Sequence, residues 1–294
     1  MRKSEIHMHS TYSDGEFAPA QLVQIAKKNG VSILSLTDHD TFEGIGELLR
    51  EAEAAGIDAF PGIEITVQFR DFNIHLLAYF KSEDVIDAEL AARVAEMTEK
   101  RENRMRELVD RINAVVPDKF KGKILFENVK KSAEGVLARP HLAREMVRLG
   151  IVATTGQAFE KYLVEHNVER KNLDAETAIA LIRKCGGIPV IAHPGERTYS
   201  LYNPEKGRDY CDIPAQLEEL KSYGLLGMEC IYPYHEKINK VDYYTALAKE
   251  FGLIATGSRD FHGFTTYQKP SLLGSTPLND AFFDRFQEAW GANR

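Results

Sequence analysis

His7 and His9 are separated by one residue, and Asp14 follows in a turn that contains Gly15. Side chains two apart on a strand share a face, so a strand over Ile6–His9 would let both imidazoles grip one ion. Asp14 would then return a hard oxygen ligand to the same place. The chain keeps supplying partners: His39 in Thr37-Asp38-His39-Asp40, Glu64 in Gly62-Ile63-Glu64, then His75, then His193 before Pro194. Asp260-Phe261-His262 repeats the spacing of His7 and His9. Imidazole and carboxylate without thiolate suit borderline to hard divalent ions: zinc, manganese or iron(II). Nine ligands exceed what one ion can use, so two or three ions are implied, with at least one bridging carboxylate. Glu64 is assigned the bridge, being the one Glu in the set. Clustered divalent ions suit phosphoester hydrolysis, because they generate hydroxide near neutral pH, orient the phosphoryl group and stabilise the leaving oxygen.

The elements that must position these groups follow from periodicity. Helices are predicted over Phe17–Asn29 and Glu43–Ala55, closed by Gly30 and Gly56. Strands are predicted at Val31–Leu36, Ala59–Thr66 and Asn73–Phe80. Residues 82–186 read almost wholly as helix: Val85–Val115, Glu127–Ser132, Pro140–Leu149, Thr155–Leu163 and Ala175–Cys185. Leu90, Val94, Met97, Leu108 and Ile112 make the buried stripe of the first of these. The arginines from Arg101 to Arg111 are expected on its solvated face. The alternation resumes with strands at Ile188–Ala192, Gly227–Ile231 and Leu253–Thr256, and helices at Ala215–Tyr223, Val241–Phe251 and Asp280–Trp290. Strands alternating with helices of about a dozen residues predict an α/β fold with a mainly parallel sheet or barrel. The expected organisation is a barrel in two parts, 1–81 and 187–294, around an all-helical cap at 82–186. His39, Glu64, His193, Asp260 and His262 fall at or just past carboxyl ends of predicted strands, where barrel active sites assemble. His75 falls early in its strand, which is therefore expected to run differently or to enter from a loop.

Composition sets the remaining bounds. A chain of 294 residues, 44% hydrophobic, can bury a substantial core. Its formal net charge of −7 argues against a broad basic surface for duplex DNA, though not against a local phosphate pocket. With no run of 18 apolar residues, no membrane span is expected. The opening lacks the apolar core of a signal peptide, and Cys185, Cys211 and Cys230 have no CxxC spacing. A reduced, cytoplasmic protein is expected.

The runs HMHSTYSDGE, LTDHDT, GIEI, NIHLLAYF, IAHPG and SRDFHG, in that order, resemble the PHP (polymerase and histidinol phosphatase) superfamily of metal-dependent phosphoesterases. The insert, with Ala138-Arg139-Pro140-His141, resembles the stand-alone branch that includes the nucleoside 3′,5′-bisphosphate phosphatases. That resemblance implies a distorted (βα)7 barrel with a trinuclear site. It implies His7, His9, Glu64 and Asp260 on a first ion, Glu64, His75 and His193 on a second, and Asp14, His39 and His262 on a third. Asp14 stands where some relatives have His, which would favour manganese or iron over zinc. Glu64 and Asp260 are the expected catalytic carboxylates, serving a metal-bridging hydroxide. Arg139, His141, Arg197 and Lys171 are the expected substrate contacts. The expected substrate is a small nucleotide, with a 3′,5′-bisphosphate favoured and a short 5′-phosphorylated single-stranded RNA as a variant. Histidinol phosphate or another small phosphomonoester is the alternative substrate. A non-catalytic metal-binding accessory module is the alternative from another class.

Overall fold

The computed structural model describes residues 2–133, 136–168, 172–263, 272–276 and 281–292. Three short parallel strands, β1 (Lys3–Glu5), β2 (Val31–Leu34) and β3 (Asp58–Ala59), form one sheet in that order. The other strands are β4 (Gly62–Phe69), β5 (Phe72–Tyr79), β6 (Leu173–Asp174), β7 (Ile188–Ile191), β8 (Gly227–Ile231) and β9 (Ile254–Gly257). They pair in the order β6-β4-β5-β7-β8-β9. Two single-residue bridges, Met8 with Phe261 and His39 with Glu64, connect the segments that follow β1 and β2 to the larger sheet. Both bridges involve candidate ligands or their immediate neighbours.

Three local departures from the sequence reading bear on the site. The first strand stops at Glu5, so His7 and His9 lie beyond its end. Backbone hydrogen bonds from Phe261 N to His7 O (3.1 Å) and from His9 N to Phe261 O (2.8 Å) keep this stretch extended. The two-residue alternation therefore survives: Met8 packs with Leu22, Leu34 and Phe261, while its flanking histidines face the other way. Glu64 is the third residue of β4 rather than near its end. β5 runs antiparallel to both neighbours, pairing Thr66 with His75 and Leu76 with Ile191. An antiparallel strand begins where its neighbour finishes, which puts His75 beside the carboxyl end of β7. That is why a ligand early in its strand still joins the others.

Helices α1 (Pro19–Lys28) and α2 (Ile45–Ala55) cover the three-stranded sheet through Leu22, Val23, Ala26, Leu48 and Ala52. Gly56 closes α2 at φ +74, a left-handed conformation that side chains other than Gly rarely adopt. Helix α3 (Ala88–Val115) is capped by Asp87, whose side chain accepts from Leu90 N at 2.9 Å. Its first half packs Leu90, Val94 and Met97 into the main core with Ile63, Ile65 and Leu76. Its second half joins a separate core, in which Met105, Leu108 and Ile112 meet helices α4 (Phe126–Lys131), α5 (Arg139–Arg148) and α6 (Thr155–Ala158). Helix α7 (Ala175–Lys184) returns to the main core, and β6 just before it pairs with β4. Helices α8 (Ile213–Ser222), α9 (Pro233–Lys237) and α10 (Val241–Glu250) flank β8 and β9. In α11 (Ala281–Ala292), Phe282, Phe286 and Trp290 close the core around Ile6, Phe60 and Tyr79. Among the described residues, no helix is long and apolar enough to cross a membrane.

Candidate metal centre

Each ligand is held by its own local device. A tight turn returns Asp14 toward His9; a Cβ on Gly15 would lie 2.2 Å from the His9 carbonyl oxygen, so only glycine fits. Ser10 N, Ser10 Oγ and Ser13 Oγ all donate to the Asp38 carboxylate, at 2.7, 2.6 and 2.5 Å, and fix that turn to the segment that follows β2. His193 (φ +26) and Asp260 (φ +47) adopt left-handed conformations, as does Asp40 (φ +49). Such conformations are costly for residues with a Cβ, and concentrate where the surroundings over-determine them. His262 directs Nδ1 to the Asp260 backbone oxygen at 3.0 Å, leaving Nε2 3.2 Å from Asp14 Oδ1.

All nine candidate ligands converge. Glu64 stands at the centre: Oε1 lies 2.9 Å from His75 Nδ1, 3.1 Å from His193 Nε2 and 3.4 Å from His7 Nε2. Its Oε2 lies 3.0 Å from His39 Nδ1 and 3.3 Å from His9 Nε2. Asp260 Oδ1 lies 3.0 Å from His9 Nε2 and 3.3 Å from His7 Nε2. Two ligand atoms held about 2.1 Å from one ion at right or tetrahedral angles stand roughly 3.0 to 3.4 Å apart. His7 Nε2, His9 Nε2, His39 Nδ1 and Asp14 Oδ1 are buried and make no hydrogen bond. Buried polar atoms are rarely left so, and groups that converge unpaired on one spot fit a cation. Among the described residues, four groupings place ligand atoms within 4.8 Å of one another: His7, His9, Glu64, Asp260; His39, Glu64, His75; His9, Asp14, His39, His262; and His193, Glu196, Asp260. The first repeats the set expected for one ion, and the third adds His9 to the set expected for another. The remaining expected set is not reproduced: Glu64 and His75 group with His39, while His193 groups with Glu196 and Asp260. His193 Nε2 nevertheless lies 3.1 Å from Glu64 Oε1.

Electrostatics keep the carboxylates ionised. Burial raises the Glu64 pKa, but His75, His39 and His7 outweigh it and hold the carboxyl well below its usual range. Burial likewise opposes ionisation of Asp14 and Asp260, and the surrounding histidines again prevail, led by His262 for Asp14 and His7 for Asp260. Burial pulls His75 down to about 4 against the attraction of Glu64. The same carboxylates, working against burial, raise the pKa values of His7, His9, His193 and His262, so a divalent ion would bind the carboxylates as they stand and displace protons from these imidazoles.

The expected substrate contacts divide. Arg139, at the first turn of α5, lines a cavity of about 730 Å³ that opens onto Asp14, His39 and His75. Its guanidinium lies 5.4 Å from the Phe159 ring. His141 is 2% exposed and does not line that cavity; its Nδ1 lies 3.1 Å from Ala138 N and caps α5. Arg197 faces away, pairing with Glu205 at 3.0 Å on the surface. Lys171 lies outside the described residues. Arg101 corrects the reading of a solvated arginine face. It is buried, its Nε lies 2.5 Å from Asp40 Oδ2, and its Nη2 lies 3.0 Å from Thr66 Oγ1. Arg104 joins it on the cavity wall, whereas Arg106 and Arg111 pair with Glu102 and Glu107 on the exposed side.

Sequence reasoning missed four further residues. Glu196 lies within 4.8 Å of ligand atoms of His193 and Asp260, and the Tyr232 hydroxyl reaches both Glu196 and Asp260. Tyr199 stacks on His75, with ring centroids 4.4 Å apart. Glu229 is buried beside His7. A glutamate inside the apolar run Gly227–Ile231 was a legible signal for the last; nothing in the spacing marks the others.

A buried histidine outside the ligand set supports the His193 loop. His235 accepts from Gly195 N at Nε2 (3.0 Å) and lies against the Cys230 oxygen at Nδ1 (2.9 Å). Its ring is fully buried, and that burial lowers its pKa to about 4. Between pH 6.5 and 4 the unfolded chain binds a proton here that the native state refuses, so stability falls as pH drops through this window. The loss is about 3 kcal/mol once both limits are passed. Denaturant titrations of metal-free protein at pH 7 and pH 4.5 should show this slope in the wild type and a shallower one in His235→Gln.

This fold and centre define a metal-dependent phosphoesterase, a hydrolase of phosphoric esters. The chain belongs to the PHP family: the PHP domain model matches residues 5–138. A 5′-3′ exoribonuclease of Haemophilus influenzae is 32% identical over 265 residues, covering 89% of this chain and 90% of its own. A 3′,5′-nucleoside bisphosphate phosphatase of Chromobacterium violaceum is 27% identical, covering 89% and 88%. Among solved structures, a Bifidobacterium adolescentis chain assigned as a metal-dependent phosphoesterase superposes with a TM-score of 0.82 at 25% identity, covering 98% and 96%.

Proposed function

We propose that this enzyme hydrolyses a phosphate ester of a small nucleotide at two or three divalent ions, with manganese favoured. The preferred substrate is a 3′,5′-bisphosphonucleotide, and a short 5′-phosphorylated RNA, which also carries phosphate on both sides of its first ribose, is the variant. The carrying observation is the cavity: Asp14, His39 and His75 bring it to the edge of the ligand cluster, and its wall bears Arg101, Arg104 and Arg139. Three guanidiniums beside a metal centre suit a ligand with a second phosphate beyond the reacting one. Two relatives whose names specify nucleotide or RNA substrates support the same reading. We also read the two sheets as arcs of one distorted (βα)7 barrel, 82–186 as its helical cap, and the cytoplasm as its compartment.

The bound ions would supply activated water and countercharge for the phosphoryl oxygens. Glu64 would bridge two of them, with His7, His9 and Asp260 completing the first, His75 and His193 the second, and Asp14, His39 and His262 the third. Arg139 would hold the second phosphate; among the described residues it has no carboxylate partner to release first. Arg101 is oriented by Asp40 and Thr66 and would present its remaining nitrogen to the cavity.

Phosphate release from adenosine 3′,5′-bisphosphate, a 5′-phosphorylated trinucleotide and histidinol phosphate, each with manganese, tests the substrate. Either nucleotide should exceed histidinol phosphate in kcat/KM; a preference for histidinol phosphate would overturn the nucleotide reading. Arg139→Ala should lower kcat/KM on the bisphosphate by roughly tenfold to a thousandfold, as loss of a charge-assisted phosphate contact does. Unchanged kinetics would remove Arg139 from the site.

A further inference from the structure

One buried carboxylate outside the nine ligands touches two of them. Glu229, in the middle of β8, is 1% exposed. Its Oε1 and Oε2 lie 3.1 and 3.2 Å from His7 Nδ1. The same Oε2 accepts the backbone N–H of His193 at 2.9 Å. His7 and His193 are far apart in the chain, and both aim ring nitrogens at Glu64 Oε1, at 3.4 and 3.1 Å.

The chemistry of each contact is specific. A neutral imidazole carries its proton on one nitrogen, and a carboxylate beside Nδ1 selects the Nδ1–H form. The Nε2 lone pair of His7 is then left facing Glu64 and Asp260. His193 sits at φ +26, where a residue with a Cβ stays only if something holds it. The Glu229 oxygen accepting its N–H does so. Packing alone does not call for a carboxylate in this strand, since an apolar side chain would avoid the desolvation cost.

We propose that Glu229 is a positioning residue of the metal centre. It holds the His7 ring with Nε2 toward the ligands and pins the His193 backbone, keeping ligands from two distant segments in register. The inference rests on the metal-centre reading, and its tests separate the two.

In wild-type protein loaded with zinc, long-range proton–nitrogen spectra of the histidine rings report the tautomer directly. The His7 signals, identified by their loss in His7→Gln, should show Nδ1–H with Nε2 bound to metal; a proton on Nε2 would overturn the proposal. Glu229→Gln offers one acceptor oxygen for two donors, and its amide meets N–H with N–H. Calorimetric titration of the metal-depleted variant with Mn²⁺ should show affinity tenfold to a hundredfold weaker than wild type, the usual effect of losing an outer partner of a ligating histidine. The Tm of the metal-free variant should stay near that of metal-free wild type. Affinity equal to wild type would overturn the role of Glu229 and leave the metal centre standing. A wild type that binds no divalent ion would overturn the metal centre, and this inference with it.

Discussion

Glu64→Gln is expected to lower kcat for phosphate release by on the order of 10³-fold or more, while the circular dichroism spectrum stays native. Five histidine nitrogens lie within 3.4 Å of its two carboxylate oxygens, three on Oε1 and two on Oε2. Glutamine keeps the volume but replaces one oxygen by an NH2 group, which cannot ligate a cation and points protons into the space an ion would fill. Loss of the bridge would therefore remove charge and geometry from two ions together. The side chain is 1% exposed and sits on the third residue of β4, where the ladder fixes its backbone. Metal content measured on the same sample separates a lost ion from a misplaced one. Full activity in this variant would refute the bridging role.

Chelation carries the second large effect. Removing the ions leaves three ionised carboxylates and six imidazoles facing one another, with buried imidazole nitrogens and one Asp14 oxygen that have no hydrogen-bond partner. Activity should fall to background, and the thermal midpoint should drop. An ion present at a thousand times its dissociation constant stabilises the native state by about 4 kcal/mol. Manganese should restore more activity than magnesium, because magnesium favours oxygen ligands and keeps its water, whereas most of these ligands are imidazoles. Greater recovery with magnesium would contradict the histidine-rich assignment.

Much of the centre was legible in the chain because a metal site needs particular residue types at particular spacings. His7-x-His9 declares a shared face where the backbone is extended, and this held even though β1 stops short of His7; Asp260-x-His262 reaches the centre differently, because Asp260 is left-handed rather than extended. Strand direction is a different kind of property. Nothing in Asn73–Phe80 says which way it runs, and only its pairing with β4 and β7 explains the early position of His75. Arg101 was legible only in part. It stands four residues after Met97 and four before Met105, on the buried stripe of α3, whereas Arg106 and Arg111 lie off it; spacing cannot name Asp40 and Thr66 as the partners that let a guanidinium sit there. Arg197 is the converse: its closeness in sequence to His193 suggested the pocket, but the loop turns it toward Glu205. Helical periodicity described α3 well, yet could not reveal that its two halves serve different cores.

A manganese-soaked crystal, measured with X-rays at the manganese absorption edge, tests the central claim most directly. The account predicts anomalous peaks about 2.1 Å from Glu64, one shared with His7, His9 and Asp260 and another with His75 and His193. A fully active crystal with no anomalous density among these residues would contradict it.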